Sequence, residues 1–378
     1  MPFTPDVYMM TRMRSISLLF SLLPLGMCSL TQLFIKSSSS NTVPQIIRQS
    51  PDNDPNYTAP YFPLLGFEQY PGNPILSPDP ANNWESAYLY NPSAIVVDDT
   101  VFLLYRAQNK SKTSSIGLAW SKDGYNFVRY HHPILQATEP YEHIGGCEDP
   151  RVIRVNGTFY LTYTGFDNTT ARLCLATSTD LLNWTKYGPI LPNVSDITYD
   201  AFDPTLPYVS RVGWSKSGAI LNERQPDGTY HMHFGDTFLY WANSTDLIHW
   251  NYEVRQAPYA PKLNVWEQVL MESAAPPVKT RDGMWLKFYN GVGSGLGGYV
   301  SGQYSTGQML IDPVNLPQGP PIARLETPVL TPTSVQEISG QVDNVVFSEG
   351  LVQYKGKWFL YFGQGDAFLG VATTDVQP

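Results

Sequence analysis

The sequence predicts an all-β fold, a five-bladed β-propeller, and three observations carry that prediction. A Ser-x-Asp turn recurs as Ser121-Lys-Asp-Gly-Tyr-Asn-Phe127, Ser178-Thr-Asp-Leu-Leu-Asn-Trp184 and Ser244-Thr-Asp-Leu-Ile-His-Trp250. Each turn follows short segments of alternating aromatic or aliphatic character, the period-2 pattern of strands. No helix-period segment exceeds two turns, and 32 Pro, 29 Gly, 24 Tyr and 9 Trp suit turns and strands better than helices. Meanders of three or four strands, repeated at roughly 60 to 70 residues, are propeller blades.

Taken in order, the chain opens with Arg12 and Arg14 ahead of an apolar run from Ile16 to Cys28. A basic region followed by such a run is the pattern of a secretory signal, and its apolar continuation to Ile35 also suits an uncleaved anchor. Residues 1–36 are therefore read as signal peptide or N-terminal anchor. Residues 37–60, rich in Ser, Asn, Pro and Asp without periodicity, read as a flexible stem. Residues 61–378 form the propeller. Its predicted strands are 93–97, 101–106 and 116–119; 151–155, 158–164 and 173–176; 218–222, 230–235 and 238–242. Two units without the Ser-x-Asp turn follow, at 277–279, 284–289 and 299–304, and at 350–354, 358–363 and 368–373.

Seven Asn-x-Ser/Thr sequons, at Asn56, Asn109, Asn156, Asn168, Asn183, Asn193 and Asn243, agree with a secreted or membrane-anchored glycoprotein. A net charge of −9 argues against nucleic acid as a partner. The three cysteines show no metal spacing. Once Cys28 is removed with the signal, Cys147 and Cys174 remain either as one disulfide or as two buried thiols.

Asp123, Asp180 and Asp246 occupy matching turn positions, where Asp accepts local backbone N–H bonds, so they are set aside as structural, with the aromatic residues that close the turns. A propeller's site lies instead at its central channel, and four of five lead-ins to the first strands carry carboxylates. They read Trp84-Glu-Ser-Ala-Tyr-Leu-Tyr-Asn-Pro92, Gly145-Gly-Cys-Glu-Asp-Pro-Arg151, Trp214-Ser-Lys-Ser-Gly218, Met271-Glu-Ser-Ala-Ala-Pro-Pro277 and Asp343-Asn-Val-Val-Phe-Ser-Glu-Gly350. Acids converging on one axis suit acid/base work on a glycosidic bond. The competing structural role is pairing with Arg106, Arg151 and Lys216 as struts between blades. No nucleophile elbow, P-loop or dinucleotide fingerprint is present. The glycine-rich Gly291–Gly298 reads as a loop over the channel mouth, and His231-Met-His233 as packing in preference to a metal pair. No cofactor is implied.

Asn91-Pro-Ser-Ala, Leu103-Leu-Tyr-Arg106, Tyr141-Glu, Gly146-Cys-Glu-Asp-Pro-Arg151, Pro276-Pro-x-Lys-Thr280 and Tyr361-Phe-Gly-Gln-Gly-Asp366 resemble, in order from Pro63 to Thr374, glycoside hydrolase family 130. The resemblance implies β-mannoside phosphorylases or β-1,2-mannosidases that work with inversion on a mannose-containing oligosaccharide or glycan. It makes Asp149 the general acid, acting through the sugar's 3-hydroxyl. Asn91, Arg106 and Asp366 would hold mannose in the −1 subsite, with Arg151 beside the acid; Glu148, Lys216 and Asp236 complete the expected binding set. Phosphorylases of the family surround phosphate with basic residues, including a His-Arg pair that His231-Met-His-Phe-Gly-Asp236 does not match. The family's hydrolases instead carry glutamates that orient water, at positions resembling Glu223 and Glu272. Two carboxylates repel a phosphate dianion and can deprotonate water. Hydrolysis is therefore the expectation, with Glu272 or Glu223 as base and Lys216 as the residue most compatible with an anion. Phosphorolysis, a binding-only propeller, and a furanosidase with Glu85 or Asp98 as first-blade acid are the alternatives.

Overall fold

In the computed structural model the described residues are 43–44, 56–198, 209–254, 256–315 and 319–378. They fall in the unit Asn41–Pro378. The expected signal or anchor at 1–36, and most of the expected stem, lie outside the described residues.

Antiparallel meanders appear where the alternation places them, and they form a five-bladed propeller. Blade one comprises Tyr88–Val97, Thr100–Gln108, Ser114–Ser121 and the short Val128–Arg129. Blade two comprises Gly146–Val155, Thr158–Phe166, Ala171–Ser178 and Thr185–Pro189, and blade three Ala219–Ile220, Tyr230–Phe234 and Tyr240–Ser244. In blade four the first strand is split. Leu270–Ser273 and Val278–Lys279 both pair with Trp285–Ser294, and Pro276-Pro277, which lack N–H donors, lie in the gap. Ser301–Ile311 and Ala323–Arg324 complete it. Blade five, Val346–Tyr354, Lys357–Gln364 and Phe368–Asp375, takes its outermost strand from the other end of the chain, Glu68–Gln69. That pairing covers an edge and closes the ring. A hairpin not anticipated, Ser195–Thr198 with Val209–Val212, stands between blades two and three.

The core is distributed over five seams. Phe102, Leu118 and Trp120 meet Val152, Phe159 and Leu161 between blades one and two. Ile153 and Leu173 meet Met232, Phe234 and Trp250; Leu221 and Leu239 meet Met271, Trp285 and Tyr289. Leu286 and Phe288 meet Val346, Trp358 and Leu360, and Tyr354, Phe359 and Val371 return to Val101 and Leu103. Truncating a wholly buried anchor such as Trp358 to Ala costs about 3–5 kcal/mol.

The three Ser-x-Asp turns are built alike. The Ser hydroxyl bonds the Asp carboxylate at 2.8, 3.0 and 3.1 Å, and that carboxylate accepts the N–H of the residue three positions on in the same turn, Asn126, Asn183 or His249. Their aromatic residues pack: Phe127 meets Tyr361 edge-on, and Trp184 and Trp250 donate to the carbonyls of Leu181 and Leu247.

A second repeat is visible only in three dimensions. A buried Glu ahead of the first strand takes a second-strand tyrosine hydroxyl and an outer-strand cation. The sets are Glu85–Tyr105–Arg129, Glu142–Tyr163–Lys186 and Glu267–Tyr289–Arg324. In blade five Glu337 takes Gln364 and Gln69 instead. Glu85, the first-blade acid of the furanosidase alternative, is therefore a strut.

Two other expectations meet the structure here. Cys147 and Cys174 lie on the first and third strands of blade two with a strand between them, about 9–10 Å apart. That exceeds the reach of a disulfide, about 7 Å between Cα atoms, and both are free buried thiols. At the end of the expected stem, Tyr57 packs on Trp358, Thr58 exchanges hydrogen bonds with Gln353, and Arg281 holds the Ala59 carbonyl. Residues 57–60 are thus docked on the propeller.

Candidate active site

The first strands of blades one, two and five bulge at one common point. Register breaks between Tyr90 and Ser93, between Glu148 and Arg151, and between Ser348 and Gly350, expelling Asn91-Pro92, Asp149-Pro150 and Glu349 from the ladder. A bulge re-aims a side chain that strict alternation would send elsewhere. Asn91 and Asp149 both adopt φ of 50°, a left-handed conformation that Asn and Asp tolerate best. Gly146, at φ 107°, allows the necessary approach of blades one and two; a Cβ there would overlap the Ser114 carbonyl.

The result is a charged cluster at the lead-in end of the channel. Arg106 donates to Asp149 Oδ1 at 2.9 Å and to Glu148 Oε1 at 2.5 Å, and Ser114 donates to the same Glu148 oxygen. Lys216 Nζ lies 2.9 Å from Asp149 Oδ2 and 3.4 Å from Glu272 Oε1, so the two oxygens it faces are no more than about 6 Å apart. Ser217 donates to Glu272 Oε1. Asp236 takes Arg211 at 2.6 Å and the Trp214 indole at 3.0 Å. Asp366, at φ 51° in the turn after Gln364, faces Arg106, Asp149 and Lys216 electrostatically.

The acids are driven apart in proton affinity. Burial alone would raise Asp149, but Lys216 and then Arg106 outweigh it and hold the carboxyl well below the usual range. Burial raises Glu272 despite Lys216, and raises Glu148 despite Arg106. Burial lifts Asp366 to about 6 against Arg106.

Asn91, Arg106, Glu148, Asp149, Lys216, Glu272, Asp236 and Asp366 are therefore brought together as expected. One residue is not. Glu223 lies past the end of the strand Ala219–Ile220, is exposed, and pairs with Lys279 at 2.6 Å. With Tyr57, Gln353 and Trp358 it lines a cavity at the strands' other end. Its assignment as a base is corrected. Arg151 stands beside the acid as expected, its Nη1 3.4 Å from the Asp149 carbonyl, and forms the floor of the cluster: it is buried, donates to the carbonyls of Ser273 and Ala274, and ion-pairs with Glu349 at 3.0 Å. Glu349 in turn accepts from Asn91 at 2.6 Å, and burial lifts its carboxyl to about 8 against Arg151.

Glu349 and Ser217 are site residues that sequence reasoning missed, although both stand in the lead-ins. Their signal was the bulge position for Glu349 and the neighbouring Lys216 for Ser217. The Gly291–Gly298 expectation also changes: residues 291–294 belong to a strand, where Gly291 makes room for the Trp266 ring. His231 pairs with Asp227 and His233 packs on Tyr259.

A family model described as beta-1,4-mannooligosaccharide phosphorylase, that of glycoside hydrolase family 130, matches residues 68–378. A 1,2-beta-oligomannan phosphorylase of Thermoanaerobacter sp. (strain X514) is 30% identical, covering 83% of this chain and 99% of its own. A beta-1,2-mannobiose phosphorylase of the same organism is 32% identical, covering 80% and 95%. Among solved structures, a glycosyl hydrolase from Bacteroides ovatus is 32% identical with a TM-score of 0.72, covering 85% and 99%. Another, also 32% identical over 85% and 99%, has a TM-score of 0.71. It was described with the finding that the family's mannoside phosphorylases include glycoside hydrolases targeting beta-1,2 mannosidic linkages in Candida mannan.

Proposed function

The chain belongs to glycoside hydrolase family 130 and acts on β-mannosides, and within that frame we propose that it is an inverting hydrolase of β-1,2-linked mannosides. The observation that carries this reading is the pairing of the mouth's cations. Arg106 faces Glu148 and Asp149, Lys216 faces Asp149 and Glu272, and Arg211 faces Asp236. A phosphate dianion entering there meets carboxylates whose charge already offsets those cations, and repulsion disfavours it. Water meets no such barrier.

In this mechanism Glu272, its proton affinity raised by burial, removes a proton from water on one face of the sugar. Asp149 delivers a proton to the leaving oxygen by way of the sugar's hydroxyl. In the free site Asp149 is ionised; a bound sugar displaces the remaining water and raises its proton affinity, so the acid form belongs to the complex. Asn91, Arg106 and Asp366 orient the −1 mannose.

Phosphorolysis is the second reading, favoured by the names of the curated relatives and by Lys216 itself. Incubation of β-1,2-mannobiose with purified protein, with and without inorganic phosphate, separates the two. Free mannose in both tubes supports hydrolysis. Mannose 1-phosphate formed only with phosphate overturns it, and no product in either supports a binding-only propeller.

We also propose passage through the secretory pathway. Asn56, Asn156, Asn168, Asn183 and Asn193 are exposed and Asn109 and Asn243 half-buried, all compatible with glycan attachment. An endoglycosidase-sensitive mass in a eukaryotic host would support this; an unmodified cytosolic product would overturn it.

A further inference from the structure

We propose that Ser217 is a positioning residue for Glu272, acting through a hydroxyl hydrogen bond that fixes one carboxylate oxygen and leaves the other to address water. The inference rests on Glu272 being the base.

Two observations carry it, and a third makes it testable. Ser217 is buried, and its Oγ donates to Glu272 Oε1, the same oxygen that faces Lys216 Nζ at 3.4 Å. Both neighbours therefore converge on Oε1. Ser217 also holds φ of 60°, where a side chain is strained and glycine is not. Glycine can therefore replace it without added backbone strain, which lets the hydroxyl be deleted by itself. Finally, both ends are braced. The Lys216 carbonyl accepts the Gly235 N–H at 2.9 Å, and Glu272 is registered opposite Asn290 in blade four. A base held on rigid elements by such partners keeps its geometry through the reaction.

Several charged groups face Glu272 besides Ser217: Lys216 and Asp236 from blade three, Asp149 and Arg151 from blade two, Glu349 from blade five, and Tyr304 from blade four's third strand. None of them changes when only the Ser217 hydroxyl is removed. A donor to a carboxylate favours its ionised form, so its loss makes Glu272 hold its proton more tightly.

Ser217→Gly is the informative variant, since glycine relieves the backbone while deleting the hydroxyl. The expected result is a melting temperature no lower than wild type and a kcat on β-1,2-mannobiose reduced about tenfold with KM within about twofold. The acid limb of kcat/KM should move up by about one pH unit. Glu272→Gln is measured alongside. An inactive Glu272→Gln with an unshifted Ser217→Gly profile overturns the positioning role and leaves the base assignment intact. An active Glu272→Gln overturns both.

Discussion

Arg151 Nη1 lies 3.0 Å from Glu349 Oε1 inside the ring of first strands, with both side chains buried. Through the Ser273 and Ala274 carbonyls and through Asn91, this pair ties blades one, two, four and five beneath the site. Removing Arg151 leaves Glu349, whose carboxyl burial already lifts to about 8, to hold its proton without its cation, and strips the Ser273 and Ala274 carbonyls of their donor. Arg151→Met should therefore cost about 3–5 kcal/mol in urea unfolding, and adding Glu349→Leu should recover part of that loss. Unchanged stability in the single variant would sink the strut.

Asp149, Glu272 and Glu223 should respond differently to substitution. Asp149→Asn should lower kcat by about 10²–10⁴-fold and, because it deprives Arg106 and Lys216 of a buried carboxylate, should also lower the melting temperature without unfolding the chain. Glu272→Ala should fall similarly and regain turnover with azide. Glu223→Ala, which only breaks an exposed pair with Lys279, should keep its rate within about twofold. Steady-state assays on the three variants decide, and a dead Glu223→Ala would restore it to the site.

Gly146→Ala tests the junction on which the acid depends. The added Cβ overlaps backbone at Ser114, which no rotamer change relieves, and φ of 107° is itself unfavourable for alanine. A loss of at least about 2 kcal/mol is expected by chemical denaturation. An unperturbed midpoint would mean that the blades separate there freely.

Asp366 predicts a pH-dependent stability. Its carboxyl moves from an ordinary value of 3.8 to about 6 in the fold, because burial outweighs the attraction of Arg106. The folded chain thus holds this proton more tightly than the unfolded chain. The associated stabilisation is complete below about pH 3.8 and is lost as pH rises through about 6. Asp366→Asn, which cannot ionise, should melt above wild type at pH 8, with the difference shrinking toward pH 4. Equal melting curves at pH 8 would show that Asp366 is not held off its ordinary value.

Glu267 tests the strut repeated among the blades. Glu267→Ala strips the partner from Arg324 and from the Tyr289 hydroxyl, both buried, and should cost about 3–5 kcal/mol. Asp246→Ala, in an exposed turn, should cost about 1 kcal/mol. Denaturation midpoints of the two variants give the comparison, and similar losses would refute the repeat's structural weight.

Strand order and blade count were legible because they depend on local pattern: alternation, turn chemistry and a repeat interval all reside in neighbouring residues. The lead-in acids Glu148, Asp149 and Glu272 were legible for the same reason, each standing just ahead of or within a recognisable first strand. Glu223 was misplaced because the chain runs on past the short strand Ala219–Ile220 and carries the side chain to the cavity lined by Tyr57, Gln353 and Trp358. Arg151 lies beside the acid as expected, and its place beneath the site follows from the bulge at Asp149-Pro150, which turns successive side chains in different directions. The pairing of Lys216 with two carboxylates, the Ser217 hydrogen bond, the strand that separates Cys147 from Cys174, and the Glu–Tyr–cation struts join residues distant in sequence. Neighbouring residues alone set the blades and the chemical character of their lead-ins. Which charges meet followed from the folded ring, since the bulges and its closure set those distances.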